Sequence, residues 1–389
     1  MKQKQRKQLN QQKNHTFFSL RSLDFSQTIL FVQTCQVGAG LFNLPRLVSE
    51  KAGHSGWIAI LIAGMIIQVA VIFIVKLLHR FGNLDVYQIM NKLFGRWLGS
   101  TLGAVFALYF VFVAAVVTRS YIEVVQQWLF PTTSTLMFYI LLIMPTVYCA
   151  LGGARVLGQF AVVTFFGTIW MMALLVVPIQ DLQTDYYRPL FHVKLISLLQ
   201  ATWEVGISAV GFELLLVIYP FLQYKKKALL ASSIGTWMTT AIYLIVVLIA
   251  IGFYSQEQIK SMLSPTLHLF KIVMLPIIER IEHIGIVTWS FLIVNTAASY
   301  IWAASRYLAH FNKWRPTTCV LVLAPIVYGI GIYPRNLMDL TTMQELAGMI
   351  GALVSVGLPP LLLLIALIFH KKADEQPPSD TPKQEVQAS

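Results

Sequence analysis

Ten apolar runs, each about the 20 residues a helix needs to cross a bilayer, set the limits on what this chain folds into. They lie near residues 27–48, 56–78, 98–120, 134–151, 156–179, 198–222, 228–254, 283–309, 317–334 and 346–369. Of the 389 residues 57% are hydrophobic and only 12% charged, where a soluble domain carries roughly a quarter charged residues. The apolar excess must face lipid or other buried helices, which sets aside the secreted and cytosolic globular classes. The expected fold is an all-α integral membrane protein of ten transmembrane helices.

Charge orients it. With ten spans and an inside N-terminus, 20 Lys and Arg fall on the inside and 8 on the outside, with Arg119 inside a span. The stretch 265–281 is also apolar but carries Lys271, Pro276, Glu279 and Arg280, so it is expected to be an interfacial or re-entrant helix. The formal charge of +12 comes from short clusters between apolar runs, the pattern of membrane topology and not of nucleic-acid binding. Three regions follow: a basic cytoplasmic tail over 1–24, a transmembrane domain over 25–371, and a disordered cytoplasmic tail over 372–389. Cys35, Cys149 and Cys319 are scattered through apolar segments and fit neither a disulfide framework nor a metal-ligand spacing, so they read as packing residues.

Two spans, the first of each set of five, are interrupted at matching places. Span 1 contains Val37, Gly38, Ala39, Gly40 and Leu41 ahead of Pro45; span 6 contains Ser208, Ala209, Val210, Gly211, Phe212 and Glu213 ahead of Pro220. In transporters built as inverted repeats, paired broken helices mark a ligand site at the membrane midplane. Unwound backbone at that depth is tolerated only where it faces protein or a polar cavity. The half-helix beginning near Leu41 presents N–H groups suited to a carboxylate, and the carbonyls ending the preceding half suit an ammonium group or a cation. An amino acid zwitterion satisfies both. The alternative is that the glycines merely allow close helix packing.

Glu213 is an intramembrane carboxylate, open to three roles: binding the ligand ammonium, taking up a proton, or holding an unwound amide. Arg119 and Glu123 stand four residues apart on one helix face, as a structural pair or, with Glu204, as an outer vestibule. Gly95, Gly99 and Gly103 are expected to form one smooth packing face. Phosphate-loop, nucleophile-elbow and zinc motifs of the usual forms are missing from the sequence, so no enzyme, cofactor or metal is expected.

The motifs VGAGLFNLPR (Val37–Arg46), LDVYQIMNKLFGRWLG (Leu84–Gly99, expected as a loop), RSYIEVV (Arg119–Val125), GFELLLVIYPFL (Gly211–Leu222) and IERIE (Ile278–Glu282) resemble the spore germination permeases. These are the B subunits of nutrient germinant receptors, within the amino acid-polyamine-organocation superfamily. The resemblance runs from about Phe25 to His370. It implies a five-plus-five inverted repeat with helices 1 and 6 broken (LeuT-like), a spore inner-membrane location, and partnership with A-type and C-type subunits. It also implies sensing of a small molecule, commonly an amino acid, that triggers germination. The unwound segments carry over residue by residue. Phe110 and Ala114 of span 3 and Asn295 and Thr296 of span 8 are placed in the pocket wall by position alone. The competing function is an amino acid transporter. The superfamily's proton-coupling lysine in span 5 has no counterpart over 156–179, while Ser290, Thr296 and Ser299 leave sodium coupling through span 8 open.

Overall fold

The computed structural model describes residues 22–188, 193–273 and 279–371. The tails over 1–21 and 372–389, and Ile278 of the IERIE motif, lie outside the described residues. Among those described, the regular elements are helices: α1 (Phe25–Gln36), α2 (Gly40–Ala52), α3 (Gly56–Phe81), α4 (Val86–Trp128), α5 (Thr135–Leu151), α6 (Gly153–Leu174) and α7 (Leu195–Ser208). They continue as α8, tightly wound turns over Phe212–Phe221, then α9 (Ala228–Phe253), α10 (Gln256–Ser261), α11 (Pro265–Lys271), α12 (Ile281–Asn312), α13 (Pro316–Ile332), α14 (Leu337–Ala352) and α15 (Leu358–Ile368).

Among the described residues six helical stretches are long and apolar enough to cross a membrane, and the bent pair α7–α8 makes a seventh. The helices α5 and α13 are apolar but shorter, and α1 alone spans 12 residues. The long helix α12 packs against α4, α5 and α6, and α9 packs against α1 and α3. The broken halves α2 and α7 pack on each other.

Capping explains where several helices start. Asp24 accepts from the Gln27 amide at 2.7 Å while the Gln27 side chain reaches back to the Asp24 amide at 3.1 Å. Asp85 and Gln88 repeat the same capping box ahead of α4. That cap corrects the expectation of a loop over Leu84–Gly99: from Val86 the segment is helical. It joins the following span through Gly95, whose φ of +81° breaks the helical path. Gly95 therefore turns the chain instead of packing, since a Cβ there would meet nothing within 4 Å. Gly103 is a true packing glycine, since a Cβ there would stand 3.0 Å from the Tyr307 ring.

The loops sort into two ends. At one end Leu23 bonds Phe221 and Gln223 at 2.9 Å each, Arg306 meets Asp85 at 3.7 Å, Arg80 donates to the Lys371 and Ala366 carbonyls, and Lys225 donates to Asn83. At the other, His54 meets the Tyr186 carbonyl, Asn43 accepts from Ser264, and Thr266 donates to the Leu41 carbonyl.

Candidate functional site

The break in span 1 is Val37-Gly38-Ala39. Val37 leaves the helix with φ −82° and ψ 109°, and the chain re-enters at Gly40 through short turns from Leu41 to Gly38 and Phe42 to Ala39. The break in span 6 is Ala209-Val210-Gly211, with a bend of 51° between α7 and α8. Both expected interruptions are present.

They interlock. A Cβ on Gly40 would stand 3.2 Å from Ser208 Cβ, and one on Gly211, whose φ is +139°, would collide with the Cys35 carbonyl. Only glycine tolerates that conformation and that approach at Gly211. Gly38 differs: a Cβ there would meet nothing within 4 Å, so the open space of the span 1 break lies beside Gly38.

Glu213 is fully buried in the first turn of α8. Its Oε2 accepts the Gly211 amide at 2.8 Å, while Oε1 accepts the hydroxyls of Tyr300 at 2.6 Å and Tyr109 at 3.1 Å. Of the three roles open to it, holding an unwound amide is the one its bonds display. The short Tyr300 contact has the length of a charge-assisted O–H···O bond. Phe110 packs on both tyrosines, with its ring centroid 5.6 Å from each.

Also from α12, Asn295 Nδ2 donates to Thr34 Oγ1 at 3.0 Å and Thr296 Oγ1 to the Thr34 carbonyl at 3.3 Å. Ser299 Oγ donates to the Asn295 carbonyl at 2.7 Å. These groups tie α12 to the last turn of α1. The carbonyls ending α1 and α7 are joined as well: the Tyr243 hydroxyl lies 3.0 Å from the Gln36 carbonyl and 2.7 Å from that of Ser208.

Ala114 is buried in α4, and its carbonyl accepts from Thr118. Arg119 and Glu123 form an ion pair at 2.9 Å. Glu204 instead lines an open cleft with Lys51, Leu199, Gln200 and Trp203, a set that includes neither member of the pair. Tyr109, Tyr243 and Tyr300 were not singled out from the sequence. Their signal is that each falls inside an apolar run, where a buried Tyr hydroxyl needs a partner.

Two broken helices, interlocked at their breaks and braced by a buried carboxylate, define a permease-type membrane protein of the LeuT-like inverted-repeat fold. Over residues 22–340 the sequence matches the family model described as spore germination protein, and the chain belongs to that family. It is similar to spore germination protein GerQB of Bacillus cereus, 27% identical over 335 residues that cover 85% of this chain and 92% of that protein. It is also similar to spore germination protein YndE of Bacillus subtilis (strain 168), 26% identical over 359 residues covering 90% and 97%. Among solved structures, that of MhsT in complex with L-phenylalanine superposes with a TM-score of 0.59 over 88% of this chain and 97% of that one. At 14% identity the likeness is one of fold.

Proposed function

We propose that this chain is the ligand-sensing B-type subunit of a nutrient germinant receptor, seated in the spore inner membrane with both termini in the cytoplasm. In this reading ten spans cross the membrane, α1–α2 and α7–α8 each making one. The chain assembles with A-type and C-type subunits, and binding of a small nutrient, an amino acid for preference, shifts the assembly toward germination.

The observation that carries the reading is the open space at Gly38, within a span 1 break that interlocks with the span 6 break. There the start of α2 offers amide groups and a positive dipole end to a carboxylate, while the ends of α1 and α7 offer carbonyls to an ammonium group. The binding segments are Val37–Leu41 and Ser208–Glu213, with Phe110, Asn295 and Thr296 behind them. Glu213 contributes from behind the break by fixing Gly211. Sodium coupling through span 8 stays with the transporter alternative: the Thr296 and Ser299 hydroxyls donate to backbone carbonyls, which leaves their oxygen lone pairs available to a cation.

The test is a thermal-shift screen of amino acids, sugars and nucleosides on the purified chain, paired with radiolabelled uptake in vesicles. A saturable shift without uptake is the expected result. Uptake of the shifting compound would make the chain a transporter, and no shift with any compound would remove the ligand site from this subunit.

A further inference from the structure

One face of α9 follows α1. Gly235, Thr239 and Tyr243 recur every four residues and so share that face. A Cβ on Gly235 would stand 2.6 Å from the Ile29 carbonyl, Thr239 Oγ1 lies 3.5 Å from the Gln33 carbonyl, and the Tyr243 hydroxyl lies 3.0 Å from that of Gln36. This register carries the Tyr243 side chain, only 1% exposed, to the place where α1 ends. There the same hydroxyl lies 2.7 Å from the Ser208 carbonyl at the end of α7, and the Gly38 amide donates to its oxygen.

Two helix C-terminal ends, each with partial negative charge, thus meet at one hydroxyl. As expected at helix ends, no backbone amide among the described residues bonds the Gln36 or the Ser208 carbonyl. A hydroxyl has a single proton to donate. The shorter contact gives it to Ser208 and leaves the Gln36 carbonyl, at the edge of the span 1 break, with an acceptor to spare. Without the hydroxyl, both ends would be left without a donor and would repel each other.

We infer that Tyr243 is a positioning residue of the ligand site. Its hydroxyl fixes the separation of the two helix breaks by holding the end carbonyl of α7, and it leaves that of α1, at Gln36, as the acceptor for the ligand ammonium. The second half of this assignment rests on the reading that an ammonium group meets these carbonyls; the first half stands without any ligand.

The experiment is hydrogen–deuterium exchange of the purified full chain in nanodiscs, followed by mass spectrometry with no ligand added. Its failure is therefore distinguishable from failure of the germinant reading. Three chains are compared: wild type, Tyr243→Phe, and one with 4-aminophenylalanine at position 243, whose amino group has a proton for each carbonyl. In Tyr243→Phe the amides of 37–41 and 208–213 exchange about five- to thirtyfold faster, the effect of leaving a buried carbonyl without its donor. Those of α5 and α13, far along the chain from the breaks, keep their wild-type rates. The 4-aminophenylalanine chain returns the break amides to the wild-type rate or below it. Any compound that stabilises the wild-type chain binds Tyr243→Phe more weakly by a similar factor, and an unchanged affinity overturns the positioning role. Wild-type exchange at the breaks of Tyr243→Phe overturns the proposal. Faster exchange spread equally over α5 and α13 overturns it too, by making Tyr243 a packing residue only. If Tyr243→Phe does not fold, the 4-aminophenylalanine chain carries the test, and faster exchange at its breaks than in wild type overturns the proposal.

Discussion

The Tyr300 hydroxyl of α12 donates to the Glu213 carboxylate of α8 at 2.6 Å, and the same carboxylate holds the Gly211 amide at 2.8 Å. One side chain thus ties a long, straight helix to the unwound stretch of a broken one. Glu213→Gln keeps the shape but replaces one acceptor oxygen with a donor, so it loses about 1–3 kcal/mol of stability, the cost of leaving a buried polar group unpaired. Tyr300→Phe loses a comparable amount. In a double-mutant cycle read by thermal or denaturant unfolding, the pair couples by about 0.5–3 kcal/mol; strict additivity would contradict the contact.

Gly211 cannot carry a side chain. Its φ of +139° and the Cys35 carbonyl pressed against it make Gly211→Ala costly by about 2 kcal/mol or more. The loss appears as reduced yield of folded protein and a lowered unfolding midpoint. A wild-type midpoint would mean the two breaks do not interlock.

Asp85 does two things at the end where Arg306 meets it: it caps α4 and pairs with that arginine at 3.7 Å. Asp85→Asn keeps a good cap and loses the pairing, whereas Asp85→Ala loses both. The alanine variant is less stable than the asparagine one by about 1 kcal/mol, the usual worth of an N-cap. Equal midpoints for the two would assign the residue to the ion pair alone.

Topology is tested by labelling. A cysteine introduced at exposed Gln183 is modified by an impermeant reagent in intact cells, and one at exposed Lys226 is spared. The three native cysteines are buried and give little background. The reverse pattern would invert the membrane orientation.

Much of this was legible in the sequence because membrane spans and their breaks are local signals. Gly38 and Gly40 in one apolar run, and Gly211 beside Glu213 in another, announce interruptions without any knowledge of packing. The helix beginning at Val86 reads as a loop in the sequence because its own polarity hides it. The Asp85–Gln88 capping box was the cue that could have found it. What pairing distant helices creates was not legible: that Gly40 faces Ser208, or that Tyr109 and Tyr300 converge on one carboxylate from two helices. Periodicity places a tyrosine on a face but does not say which neighbour that face meets.

The central claim is that a small nutrient sits beside Gly38. Because a Cβ there meets nothing within 4 Å, Gly38→Val extends a side chain into that open space from a backbone position that has room for it. The decisive measurement is ligand titration of the purified wild-type and Gly38→Val chains by thermal shift, using the compound that best stabilises the wild type. The account predicts an unliganded midpoint within about 2 °C of wild type, since no native contact is lost, and at least a hundredfold loss of ligand affinity, about 2.7 kcal/mol. A Gly38→Val chain that binds the compound as tightly as wild type would contradict it.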